Sequence, residues 1–290
     1  MFKIIALSGL VGILPLCAAQ TRPVQTGQPG GTGPYPASWT TDFPLTNHTI
    51  FAPVDPPANL KLPVIVWGQT GCSYDALRFE QFLIEVASQG VFIIANGTPD
   101  GSDNPNGIAE TQNPDSSLHL AAIDWVTAEA GSGAYVNVDA SRLAAAGQSC
   151  GGVQAYSVSD DERVTAIGIF NSGMINANDP LPTTIDKPIF YFLGGPSDIA
   201  YANGERDYVN LPADTPKWKG NLAVGHMGTY AAANGGKFGV AASHWARWIL
   251  RGDAEAAGFF TGSGTETAEA DGWEVVHDML DAIEVESWDA

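Results

Sequence analysis

The sequence predicts an α/β fold, with a mainly parallel central sheet and helices on both faces. Three observations lead there. Continuous apolar runs of strand length recur at Pro63-Val64-Ile65-Val66-Trp67, Val91-Phe92-Ile93-Ile94-Ala95 and Pro188-Ile189-Phe190-Tyr191-Phe192-Leu193. Runs without polar alternation belong to strands covered on both faces. Stretches with helical spacing separate them, and that alternation builds a parallel sheet. Finally, Gly147-Gln148-Ser149-Cys150-Gly151 fits G-x-S-x-G, which puts a serine at the sharp turn between a strand and a helix.

Taken in order, residues 1–19 read as a signal peptide: Lys3 gives a positive start, Ile4 to Leu16 is apolar, and Cys17-Ala18-Ala19 offers small residues for cleavage. Residues 20–45, rich in Gly, Pro and Thr, read as an irregular arm, and residues 46–262 as the α/β domain. His48-Thr49-Ile50-Phe51 has strand character, and Asp55-Pro56-Pro57 ends it. After the Pro63–Trp67 strand and a loop, Tyr74 to Gln89 carries Leu77, Phe82, Leu83 and Val86 at helical spacing, with Gly90 closing the helix. The loop from Asn96 to Asp115 leads to a helix capped by Ser116 or Ser117 and running through Trp125 and Val126.

Arg142–Ala146 is the strand before the serine, and Gly152–Tyr156 continues as the helix after it. Thr165–Phe170 and Pro188–Leu193 are further strands, and Gly239–Leu250 is a helix with Val240, Trp245, Trp248 and Ile249 inward. Residues 263–290 form an acidic tail containing a strand-like Gly272-Trp273-Glu274-Val275-Val276.

The 290 residues carry a formal net charge of −19, and loss of Lys3 with the signal leaves −20. Such a surface repels nucleic acid and anionic membranes and suits neutral partners. No second apolar stretch of membrane length follows the signal. A secreted monomer is expected, without a cofactor or metal, since no metal-ligand cluster or phosphate-binding glycine loop stands out. Cleavage leaves two of the three cysteines, Cys72 and Cys150, in an oxidising compartment. They form either a disulfide, worth on the order of 4 kcal/mol for a loop this long, or two free buried thiols. Asn47-His48-Thr49 and Asn96-Gly97-Thr98 match the glycosylation sequon.

Ser149 is the candidate nucleophile. A serine hydroxyl needs a base to take its proton, and the base needs a carboxylate to orient it. In chains built around this turn the acid and then the histidine follow the serine. Of five histidines, His48 and His119 come too early, His244 lies in a tryptophan-rich helix and His277 in the tail. His226, in the loop Gly225-His226-Met227-Gly228, is the candidate base. Asp198 follows the Pro188–Leu193 strand, where such sheets open their crevice. It is the candidate acid, ahead of Asp186, Glu205 and Asp207. Two main-chain N–H groups should face the developing oxyanion. They are expected from Cys150 and from Gln69.

These segments carry a resemblance. Pro63 to Gln69, Val86 to Ile94 and Ala146 to Gly152, with Asp198 and Gly225-His226 in register, resemble secreted α/β-hydrolases of the cutinase-like polyester hydrolase, dienelactone hydrolase and chlorophyllase-like group. The resemblance runs from about Thr49 to Gly262. It implies an α/β-hydrolase fold, with Ser149 as nucleophile, His226 as base, Asp198 as orienter and the Gln69 and Cys150 amides as oxyanion hole. Two departures leave the substrate preference open: the polyester hydrolases usually carry Met after the serine and an aromatic where Gln69 stands.

The short chain between Phe170 and Pro188 leaves no room for a large cap. An open cleft is expected, walled by Tyr74, Met174, Ile199, Tyr201, Met227 and Tyr230, for apolar or polymeric esters. Two other functions fit the same chain: an idle hydrolase fold acting as a secreted binding protein, and amide or peptide hydrolysis at the same serine.

Overall fold

The three apolar runs are all strands of one nine-stranded sheet in a computed structural model that describes residues 24–42, 44–101 and 116–288. The expected signal segment 1–19 lies outside the described residues, as does most of the loop after Asn96.

The strands are β1 (Ala37–Thr40), β2 (His48–Pro53), β3 (Leu62–Gly68), β4 (Phe92–Asn96), β5 (Val138–Gln148), β6 (Val164–Phe170), β7 (Ile189–Leu193), β8 (Lys217–Asn221) and β9 (Glu274–Asp278). Their order across the sheet is β1-β2-β4-β3-β5-β6-β7-β8-β9. The six strands from β4 to β8 pair in parallel, while β1, β2 and β9 close the two edges antiparallel. The fold is therefore mixed α/β with a mainly parallel sheet, as the sequence predicts.

Among the described residues six α-helices accompany the strands: α1 (Glu80–Ser88), α2 (Ser117–Glu129), α3 (Cys150–Tyr156), α4 (Tyr201–Asn210), α5 (Gly236–Arg251) and α6 (Ala254–Thr261). Alternate residues of each strand point to opposite faces, and both faces are covered. Ile65, Trp67, Phe170, Phe190, Phe192 and Trp218 face α1, α5 and α6 through Phe82, Trp245 and Phe260. Val64, Val66, Ile94, Ala145, Ile167 and Tyr191 face α2, α3 and α4 through Ile123, Tyr156 and Tyr208. Phe170 stacks on Phe192 with centroids 4.4 Å apart, beneath the ends of β6 and β7.

Several sequence expectations change. The expected helix from Tyr74 begins instead as a one-turn 3₁₀ segment over Ala76–Phe79, capped by Asp75, and becomes α-helical only at Glu80. The expected irregular arm supplies edge strand β1, and Thr32 anchors it by donating from N and Oγ1 to the buried Glu85 carboxylate. The acidic tail packs on the domain: Trp273 and Leu280 are buried, β9 pairs with β8, and Trp288 lies over the Arg142 guanidinium at 4.0 Å.

β8 has no sequence signature because Lys217 and Lys219 occupy buried positions. Glu205 meets Lys219 at 2.7 Å and Tyr208 lies under both ammonium groups, so the two charges are compensated.

Candidate active site

Five parallel strands end at one edge of the sheet and deliver the site. Ser149 follows β5, Asn171 follows β6, Asp198 follows β7, His226 follows β8 and Gln69 follows β3. In open α/β sheets the crevice forms at these carboxyl ends.

Ser149 sits at φ 55° and ψ −117°, between β5 and α3. A non-glycine residue there is strained by roughly 1–3 kcal/mol. Its N–H donates to Phe170 O at 3.0 Å, which pins the turn to β6. The glycines of the motif are required by close approach. A Cβ on Gly147 would run into the Gly151 backbone, and one on Gly151 into the Gly68 carbonyl.

Ser149 Oγ lies 2.9 Å from His226 Nε2, and His226 Nδ1 lies 2.6 Å from Asp198 Oδ1. Burial acts to raise the Asp198 carboxyl pKa. Hydrogen bonds from His226, Ala200 N, Asn171 and Gly194 N outweigh it and hold the pKa below the ordinary value. An ionised carboxylate only accepts, so His226 carries its proton on Nδ1 and turns the Nε2 lone pair toward the serine. The loop holding His226 is anchored by Gln148 Nε2, which donates to His226 O at 2.8 Å.

Asn171 belongs to the candidate site and was missed by the sequence reading. At φ 43°, its Nδ2 donates to Asp198 Oδ2 at 2.9 Å and to Gly225 O at 3.2 Å. Tyr230 OH donates in turn to Asn171 Oδ1 at 2.5 Å. An asparagine immediately after a buried strand was its only local signal.

The Gln69 amide lies against the first turn of α3. A Cβ on Gly151, one residue beyond Cys150, would come within 2.7 Å of Gln69 N. Cys150 opens α3, so its N–H lacks an intrahelical acceptor. The Cys72–Cys150 disulfide is formed, with Cα atoms 5.1 Å apart, and ties the loop after β3 to the residue beside Ser149.

A cleft of about 310 Å³ opens beside Ser149 and His226, walled by Gly71, Val153, Gly173, Ile175, Ile199 and Ala200 together with Thr70, Ser172 and Asn203. Of the six expected wall residues, Ile199 alone lines it, at 82% exposure. Tyr230 is fully buried in the Asn171 network instead. Met174 is buried in the core below α4, with its main-chain N donating to Asp207, and its neighbour Ile175 takes the wall position. Tyr74 and Tyr201 are half-buried, Tyr201 against the core, and Met227 is exposed beside His226; none of the three is in the lining.

Two of the three lower-ranked acids are engaged elsewhere: Glu205 with Lys219 and Asn221, Asp207 with Arg206 and Tyr156. Asn96 is corrected as a glycan site. It is buried, and its Nδ2 donates to His119 Nδ1 at 3.1 Å and Gln154 Oε1 at 3.2 Å, so no glycan can be accommodated there. Asn47 is half-buried at the turn before β2. Among the remaining histidines, His244 stacks on Phe259 at 4.7 Å and His277 stands exposed on β9.

Comparison with models of known protein families and with curated proteins finds no match for this chain.

Proposed function

We propose that this chain is a secreted carboxylic-ester hydrolase that works through an acyl-enzyme at Ser149, on an α/β-hydrolase fold. The observation that carries the reading is the unbroken hydrogen-bonded series Ser149 Oγ–His226–Asp198, at 2.9 and 2.6 Å. The sheet order, with a strained serine between strand and helix, supports the fold assignment. The disulfide and the leader-like segment 1–19 support export.

In this mechanism Ser149 Oγ attacks the ester carbonyl while His226 Nε2 takes its proton. The charge formed on the carbonyl oxygen is received by the Gln69 and Cys150 N–H groups, each worth about 3 kcal/mol of barrier. His226 then gives the proton to the leaving alcohol, and the acyl group stays on Ser149. A water, deprotonated by His226, attacks the acyl carbon and releases the acid. Asp198 stays ionised throughout and stabilises the imidazolium. The residues need no cofactor for these steps. The acidic surface and mostly apolar cleft favour a neutral ester, small or polymeric, over nucleic acid or an anionic membrane. The enzyme is expected to act as a monomer.

Hydrolysis of a short-chain p-nitrophenyl ester by the mature chain tests the reading, with Ser149→Ala as control. Turnover should vanish in the variant, and a fluorophosphonate probe should label only the parent. Equal turnover in both proteins would exclude Ser149 as nucleophile. Failure of the probe to label would return the chain to a binding role.

A further inference from the structure

The polar groups on the cleft wall are not equivalent. Ser172 is occupied, because its hydroxyl donates to Ser149 O at 2.5 Å. Of the other two polar side chains outside the catalytic set, Thr70 and Asn203, only Asn203 has its orientation fixed by a neighbour.

Asn203 stands in the first turn of α4, and Gly173 allows that turn to press against the loop after β6: a Cβ on Gly173 would lie 2.8 Å from Asn203 Cβ. Arg206 Nη1 donates to Asn203 Oδ1 at 3.2 Å. The guanidinium is itself held by Asp207 Oδ1, from Nε at 3.1 Å and Nη2 at 2.9 Å, and by Met174 O. A guanidinium has no acceptor, so the amide cannot be reversed: its oxygen must face Arg206. The Asn203 NH₂ group is thereby directed away from Arg206. Among the described residues no protein acceptor meets it. Val153, Ile175, Ile199 and Ala200 give the same cleft its apolar wall.

We infer that Asn203 is a specificity-determining residue. Its Nδ2 donates to an uncharged acceptor oxygen carried by the ester away from the scissile group: an ether, ketone, hydroxyl or second ester carbonyl. This rests on the proposed hydrolase reading and narrows its substrate class from plain alkyl esters to oxygen-bearing ones. The donor discriminates because a neutral hydrogen bond made by one substrate and absent in its isostere is worth about threefold to tenfold in kcat/KM. The net charge of −19 selects against a carboxylate at that position.

The test compares isosteric ester pairs on the mature, oxidised chain. One pair varies the acyl half, p-nitrophenyl methoxyacetate against p-nitrophenyl butyrate. The other varies the alcohol half, 2-methoxyethyl butyrate against butyl butyrate. Taking the ratio of kcat/KM within a pair and comparing it between proteins removes the intrinsic reactivity of the esters. In Asn203→Leu the ratio should fall about threefold to tenfold for one pair, and that pair identifies the half of the ester Asn203 reads. Asn203→Asp keeps the Arg206 partner while exchanging donor for acceptor, so its ratio should fall at least as far. Unchanged ratios for both pairs, in an enzyme whose turnover depends on Ser149, would overturn this inference alone. Ester turnover that survives Ser149→Ala would overturn the hydrolase reading and this inference with it.

Discussion

Asn171 Nδ2 donates to Asp198 Oδ2 at 2.9 Å, so the carboxylate that orients His226 is held from the end of β6 as well as from its own loop. Behind it, the buried Tyr230 hydroxyl completes the amide. Tyr230→Phe leaves the buried Asn171 Oδ1 without a donor and should cost about 1–3 kcal/mol of stability. Asn171→Ala also removes a donor from Asp198 and places alanine at a positive φ. It should cost more, lower kcat and raise the Asp198 pKa. Urea unfolding and the acid limb of the pH–rate profile measure these effects.

Ser149 holds its φ of 55° at an energetic cost that glycine would not bear. Ser149→Gly should therefore abolish ester turnover while raising unfolding free energy by about 1 kcal/mol. Equilibrium denaturation of parent and variant checks the sign.

The Cys72–Cys150 bridge joins the two loops whose amides are proposed to receive the oxyanion. The Cys72→Ala/Cys150→Ala variant should lose on the order of 4 kcal/mol of stability and should also lose kcat at temperatures where it remains folded. Full turnover in the folded double variant would leave the bridge a purely stabilising role.

Stability should fall in mild acid, ahead of carboxylate protonation. Burial pushes the pKa values of His48 and His119 down to about 4, below the ordinary 6.5. Both are neutral in the fold and take up protons on unfolding. The stability they contribute is therefore complete above pH 6.5 and is lost as pH falls from 6.5 toward 4, by on the order of 3 kcal/mol each. Urea midpoints at pH 7, 5.5 and 4.5 measure the slope. Asp198, whose pKa is lowered in the fold, adds a further loss of the same sign at lower pH.

Much of the frame was legible because buried parallel strands must be apolar on both faces. That rule alone located β3, β4 and β7 to within a residue or two. The sharp turn at Ser149 was legible for a related reason: its glycines answer close backbone contacts, so the requirement is written into five adjacent residues. β8 was not legible, because the charges of Lys217 and Lys219 are compensated by Glu205 and Tyr208, which come from another element.

The sequence by itself determined the strand–helix alternation, the sharp turn at Ser149 and the chain order of serine, acid and histidine. Each of these follows from local sterics or from the apolar content of a segment. The tertiary structure alone decided what meets what across the crevice. It put Asn171 on the acid, buried Tyr230 and Met174 that were expected at the wall, and turned the Asn203 amide by way of Arg206. These depend on distances between segments far apart in the chain. A polar or aromatic side chain in a loop carries no mark of which neighbour will reach it first.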